Sequence, residues 1–173
     1  MINFQCLRCG QCCQKLIGHH LLSEALTSLA LFPEETRYFA NNIISPYRGK
    51  GIHPEDKNFS IYMYQLNTEP CPHIEKLKTS KSCKIYKHRP LVCRCYPFTP
   101  LANNESGEPI TQADPACTSL KEIKDKNTRI EIPILEWVSC MSFLNRFEKL
   151  SLDETYWIFD LKEKTWFIDI LPN

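Results

Sequence analysis

At 173 residues the chain suits one domain, or one domain with a small appendage, and its 43% hydrophobic and 24% charged side chains are those of an ordinary soluble globular protein. The 21 basic and 20 acidic residues nearly cancel, to +1. That balance excludes a global field drawing the chain to nucleic acid or a membrane, and no run of about 18 apolar residues offers a transmembrane helix.

The chain opens Met1-Ile2-Asn3-Phe4, without the basic and apolar regions of a secretory signal, so a cytoplasmic protein with reduced thiols is expected. Residues 4–13 hold a first cysteine group on a turn-like segment. Ser23 has the character of an N-cap, and Leu26, Leu29 and Ala30 follow at helical spacing. Pro33-Glu34-Glu35 predicts a second helix, to about Asn41 or Asn42, with proline first and acids in the opening turn. Residues 45–58, with Pro46, Gly49, Gly51 and Pro54, read as a loop.

Residues 59–66 (FSIYMYQL) are aromatic and branched, which predicts a strand. A second cysteine group runs from Cys71 to Cys95, and the polar stretch 101–115 reads as an exposed loop closed by Cys117. Pro133 opens a helix with apolar positions at Ile134, Leu135, Val138, Met141, Leu144 and Phe147. Residues 156–161 and 165–171 alternate around Lys162-Glu163-Lys164 and predict a hairpin. The expected fold is α+β: a small, partly irregular, metal-stabilised domain with several helices and a C-terminal β-hairpin. Residues 1–120 would be a cysteine-cluster, metal-chelating domain, and residues 121–173 a helix and hairpin packed on the same core.

Ten cysteines are the unusual feature. An even number permits disulfides, but a reduced compartment and metal-ligand spacing favour thiolate ligation. In Cys6-Leu7-Arg8-Cys9-Gly10, one tight turn aims two sulfurs at a single ion. Gly10 permits a positive φ after the second sulfur, so that backbone N–H groups turn inward and stabilise thiolate charge. The adjacent Cys12 and Cys13 diverge, which favours two ions or a multi-iron cluster if both ligate; the alternative is that Cys13 is a small buried hydrophobe. In the second group, Cys71, Cys83, Cys93 and Cys95 fall within 25 residues, too dense for core packing alone. Lys84, Lys87, His88, Arg89 and Arg94 surround them. Four thiolates on a divalent ion leave about −2, which these cations would offset. A basic patch for nucleic acid is the rival reading, disfavoured by the near-zero net charge.

Together these blocks resemble the cysteine-cluster family often called YkgJ-like, regarded as zinc- or iron-chelating, whose hallmark is Cys-x-x-Cys-x-x-Cys-Cys. Here that motif is Cys6 to Cys13. The second block is similar too: Pro70-Cys71-Pro72, Cys83-Lys84-Ile85-Tyr86-Lys87-His88-Arg89-Pro90, Cys93-Arg94 and Tyr96-Pro97-Phe98, with Cys117 matching a later cysteine. The resemblance covers roughly residues 4–120 and implies Cys6, Cys9, Cys12, Cys13, Cys71, Cys83, Cys93 and Cys117 as ligands. Cys95 and Cys140 are then structural, with Cys95 as a spare or redox-active thiol the alternative. His73 stands where the family tends to carry an aromatic residue.

The metal stays open between zinc and iron. Cys-x-x-Cys-x-x-Cys also begins a bacterial ferredoxin motif, for which Cys71-Pro72 would supply the distant ligand, so an iron–sulfur cluster is a rival. Three function classes follow: a small metal-binding or partner-binding module whose metal is structural or sequestered; an iron–sulfur electron carrier; or a cluster-dependent enzyme, since the motif also occurs in flagellin lysine-N-methylase. Whether it is an enzyme is not decided by the residues. His19, His20, His53, Glu34 and Glu35 read as surface or core, and no Ser-His-Asp arrangement, Walker loop or dinucleotide fingerprint is legible.

Overall fold

A computed structural model describes residues 2–4, 6–19, 25–77, 81–114, 116–121, 130–148 and 155–168. In chain order the strands are β1 (Ile2–Asn3), β2 (Gly18–His19), β3 (Leu26–Thr27), β4 (Ala30–Leu31), β5 (Ile44–Lys50), β6 (Ser60–Leu66), β7 (Ile74–Lys76) and β8 (Lys81–Cys83). They continue with β9 (Phe98–Asn103), β10 (Pro109–Ala113), β11 (Ile130–Glu131), β12 (Tyr156–Phe159) and β13 (Trp166–Ile168). The helices are α1 (Leu91–Cys95), α2 (Thr118–Lys121) and α3 (Ile134–Glu148). The fold is α+β, as expected. Among the described residues, no helix is long and apolar enough to cross a membrane.

The chain divides into two compact units: Met1–Cys12 with His73–Lys149, and Cys13–Pro72 with Leu150–Asn173. The second is built on a five-stranded sheet, ordered β13-β12-β5-β6-β4. Each neighbouring pair is antiparallel. Strand β6, between β5 and β4, carries much of the core because its apolar side chains bury on pairing: Tyr62, Met63 and Leu66 join Leu31 and Ile158 there. Gln65 is fully buried there and satisfied. Its side-chain oxygen accepts the Ser28 amide (2.8 Å), and its nitrogen donates to the carbonyls of Pro46 (2.7 Å) and Phe159 (2.9 Å). The turn after β12 is held by buried Asp160, which accepts the amides of Leu26 (2.6 Å), Lys162 (2.7 Å) and Glu163 (2.6 Å).

This unit corrects three expectations. Residues 45–58 are not all loop, because β5 pairs with β6 along its length. Pro46 brings no amide to the ladder, and the register shifts between Pro46 and Arg48. Gly49 belongs in the strand because the Phe59 ring occupies the space a Cβ would take. Leu26, Leu29 and Ala30 are not helical either: β3 pairs with β2 and β4 with β6, their backbones captured by tertiary partners. Ser23, the proposed cap, lies outside the described residues. The expected helix from Pro33 is a 3-10 helix ending at Tyr38, followed by another over Asn41–Ile43.

The first unit packs α1 against α3 and encloses Phe4, Cys95, Phe98, Cys117 and Cys140. The rings of Phe4 and Phe98 meet edge-to-face, 5.3 Å apart. Strands β9 and β10 pair antiparallel, so the stretch expected as a loop is a hairpin, with Asn104 ordering its tip by accepting the amides of Ser106 and Glu108. Helix α3 begins after Pro133, as the sequence implies, but only part of the expected apolar face turns inward. Cys140 and Leu144 are buried, whereas Ile134, Leu135 and Val138 are exposed.

Candidate metal centre

The segment carrying Cys6, Cys9 and Cys12 is a tight knuckle at the surface; all three residues are exposed. Two residues in it take left-handed backbone, Arg8 at φ 52° and Gly10 at φ 70°. The first turns the Arg8 amide onto Cys6 Sγ, to which it donates at 3.4 Å. Such an N–H···S bond lowers the cost of thiolate charge, as expected of a Cys-x-x-Cys-Gly turn. Gly10 sits against the β7–β8 hairpin so closely that a Cβ would lie 2.6 Å from Lys81 Cδ and 3.0 Å from Ile74 Cδ1. Leu7 ties the other flank by donating its amide to Ser119 Oγ at 3.0 Å.

The second cysteine group meets the knuckle through these contacts. Cys83 ends β8 opposite Ile74, and the Lys84 amide donates to the His73 carbonyl at 2.9 Å, closing the base of the hairpin. The Arg8 guanidinium lies 5.6 Å from the centre of the Tyr86 ring, three residues after Cys83. Cys93 and Cys95 lie on α1, the first half-buried and the second turned into the core. Cys117 is buried ahead of α2, where its carbonyl accepts the amides of Leu120 and Lys121, each at 3.1 Å.

Tyr96 gathers two of these cysteines electrostatically. Its phenol is pushed well above the ordinary range, first by burial, then by the charges of Asp114, Cys117 and Cys12, with a side-chain hydrogen bond to Cys117 adding to the shift. The hydroxyl therefore stays protonated and available as a donor to sulfur. Nothing in the cysteine spacing announces this contact; only the Tyr-Pro-Phe block marks the residue at all.

Cys13 and Cys71 belong to the other unit. There the Cys71 amide donates to the Cys13 carbonyl at 2.7 Å, and Glu69 Oε2 accepts the amides of Leu16 (3.0 Å) and Ile17 (3.1 Å). The chain just after the knuckle is thereby clasped to the Pro70-Cys71-Pro72 segment.

Cys95 and Cys140 form a different pairing. Both are buried in the core of the first unit, a side-chain hydrogen bond joins them, and the Cys140 thiol also donates to the Phe98 carbonyl at 3.5 Å. The bond from Cys95 draws the Cys140 thiol below its ordinary range, against burial, which pushes it up.

No disulfide joins any of the ten cysteines. Among the described residues, no three of Cys, His, Asp and Glu are gathered closely enough to hold one ion. What the structure supplies is the donor chemistry. Soft sulfur ligands on a hydrogen-bonded knuckle fit zinc or iron.

A family model described as "CxxCxxCC: Putative zinc- or iron-chelating domain" matches residues 5–118, more than half of the chain. The chain belongs to the CxxCxxCC family. For a CxxCxxCC domain, that description supports metal binding and does not choose between zinc and iron. The match takes in the knuckle, both hairpins of the first unit, α1 and Cys117, and ends before α3. Searches of curated proteins and of solved structures returned no match.

Proposed function

We propose that this CxxCxxCC domain binds zinc or iron through Cys6, Cys9, Cys12, Cys13, Cys71, Cys83, Cys93 and Cys117, and that metal ligation stabilises the fold. The observation that carries the reading is the Arg8 amide on Cys6 Sγ, made possible by left-handed backbone at Arg8 and supported by the glycine at position 10. A turn of that shape suits a metal-bound sulfur, which backbone N–H groups orient and hold. Eight sulfurs suit two four-coordinate ions, with Cys12 and Cys13 facing different ones. Each bound ion would supply Lewis acidity if zinc, or a one-electron couple if iron. Tyr96 would donate its hydroxyl to the Cys117 sulfur and moderate its charge.

Anaerobic purification followed by elemental analysis and a visible spectrum tests this. A colourless protein with about two zincs per chain supports the module reading. Charge-transfer absorption that bleaches on reduction identifies iron and moves the protein to the electron-carrier class. A protein that retains neither metal under these conditions, and takes up neither when they are added, ends the reading.

A further inference from the structure

The net charge of +1 conceals a strong local asymmetry. Between Glu75 and Glu105 the sequence carries seven basic residues, Lys76, Lys78, Lys81, Lys84, Lys87, Arg89 and Arg94, and no acidic one. The N-terminal segment before Glu24 adds Arg8 and Lys15, again without an acid. Folding concentrates part of this charge within the first unit. Tyr86 is 51% exposed, with the Arg89 guanidinium 4.0 Å from its ring centre and that of Arg8 at 5.6 Å. Lys84 and Lys87, on either side of Tyr86 in sequence, are exposed. Arg89 Nε donates to the Tyr86 carbonyl at 3.3 Å; among the described residues neither guanidinium is joined to a carboxylate. Offsetting the two four-thiolate divalent ions proposed above requires about four positive charges, fewer than the nine cations these two stretches carry in sequence.

We propose that this face is a docking surface for an acidic segment of a partner protein. Two features favour a peptide over nucleic acid. The Arg89 guanidinium already lies over the half-exposed Tyr86 ring, 4.0 Å from its centre, where it competes with a stacking base and brings positive charge to the surface. In sequence the cations also stand beside exposed apolar side chains of the same unit, Leu7 (47%) next to Arg8 and Leu77 (50%) next to Lys76, a mixture suited to a peptide carrying both acids and aliphatic residues. Glu75, at the edge of this stretch, faces Ser82, whose hydroxyl donates to it at 3.4 Å.

The test is fluorescence anisotropy with the intact, metal-loaded chain and a labelled peptide of alternating glutamate and leucine, set beside labelled oligothymidylate. The peptide is expected to bind, to weaken as salt rises, and to bind about tenfold less tightly to the double variant Arg8→Gln/Arg89→Gln. Lys84→Gln/Lys87→Gln should weaken it in the same direction without touching the knuckle. Arg37→Gln, which removes an arginine from a tyrosine elsewhere on the chain, should change nothing. Metal content measured on every variant separates loss of docking from loss of the proposed metal site. Absent peptide binding, tighter binding of oligothymidylate, or an equal loss in Arg37→Gln would each overturn the proposal.

Discussion

The backbone amide of Cys71 donates to the carbonyl of Cys13 at 2.7 Å, so a main-chain bond joins two cysteines 58 positions apart. That bond does not depend on either side chain. Replacing Cys13 by alanine therefore leaves the local scaffold in place and removes only the sulfur. If Cys13 ligates, Cys13→Ala should lose about one metal ion per chain, while its metal-free form melts within about 1 kcal/mol of the metal-free parent. Elemental analysis and denaturant titration of both forms check it; full metal content in the variant would make Cys13 a packing residue.

Gly10 carries a sharper expectation. At φ 70° any other L residue is strained, and its Cβ would press on Lys81 and Ile74. Left-handed backbone alone costs about 1–2 kcal/mol for a residue with a side chain. Gly10→Ala should thus lose about 2 kcal/mol of stability and release metal at lower chelator concentration, whereas alanine at Gly107, where a Cβ meets nothing within 4 Å, costs only the strain. Chelator competition and thermal melts of the two variants separate these contributions.

The glycine was legible because a left-handed turn after a Cys-x-x-Cys pair leaves few residues to choose from. Strand β6 and helix α3 were legible for the same kind of reason: a dense branched and aromatic run, and a proline followed by an apolar helical pattern. Strand β5 was not, because the features that make it look like a loop serve tertiary purposes. Gly49 makes room for the Phe59 ring, and Pro46 offers its carbonyl to buried Gln65. Hairpin β9–β10 was hidden likewise, since Pro100, Pro109 and the tip glycine suppress the alternation that marks a strand. At the site, the spacing exposed the cysteines but not Tyr96 or Ser119, whose contacts with Cys117 and Leu7 arise only on folding.

Cys140 offers a contrast within the cysteines. It is fully buried, bonded to the Phe98 carbonyl and to Cys95, and lies beyond the segment matched by the family. Cys140→Ala should cost about 1–2 kcal/mol through the lost bond and the small cavity, and leave metal content unchanged. Metal lost in parallel with stability, at temperatures where the variant is still folded, would count Cys140 among the ligands.

Asp160 sets the acid limit of the second unit. Burial opposes its charge, but the amides of Glu163, Leu26 and Lys162 outweigh that cost, and its carboxyl is held below the ordinary carboxylate range, with Lys162 adding a smaller attraction. A carboxyl depressed in the folded state contributes stability above its unfolded pKa of about 3.9, and the contribution is lost as pH falls through the lower folded value. Asparagine in its place presents N–H groups to amides that need an acceptor, so Asp160→Asn should be destabilised by about 2 kcal/mol at neutral pH. Denaturant midpoints of parent and variant, measured from pH 7 downward, should stay apart to about pH 4 and then converge. A gap that persists undiminished at the lowest pH would mean that the aspartate acts through shape rather than charge.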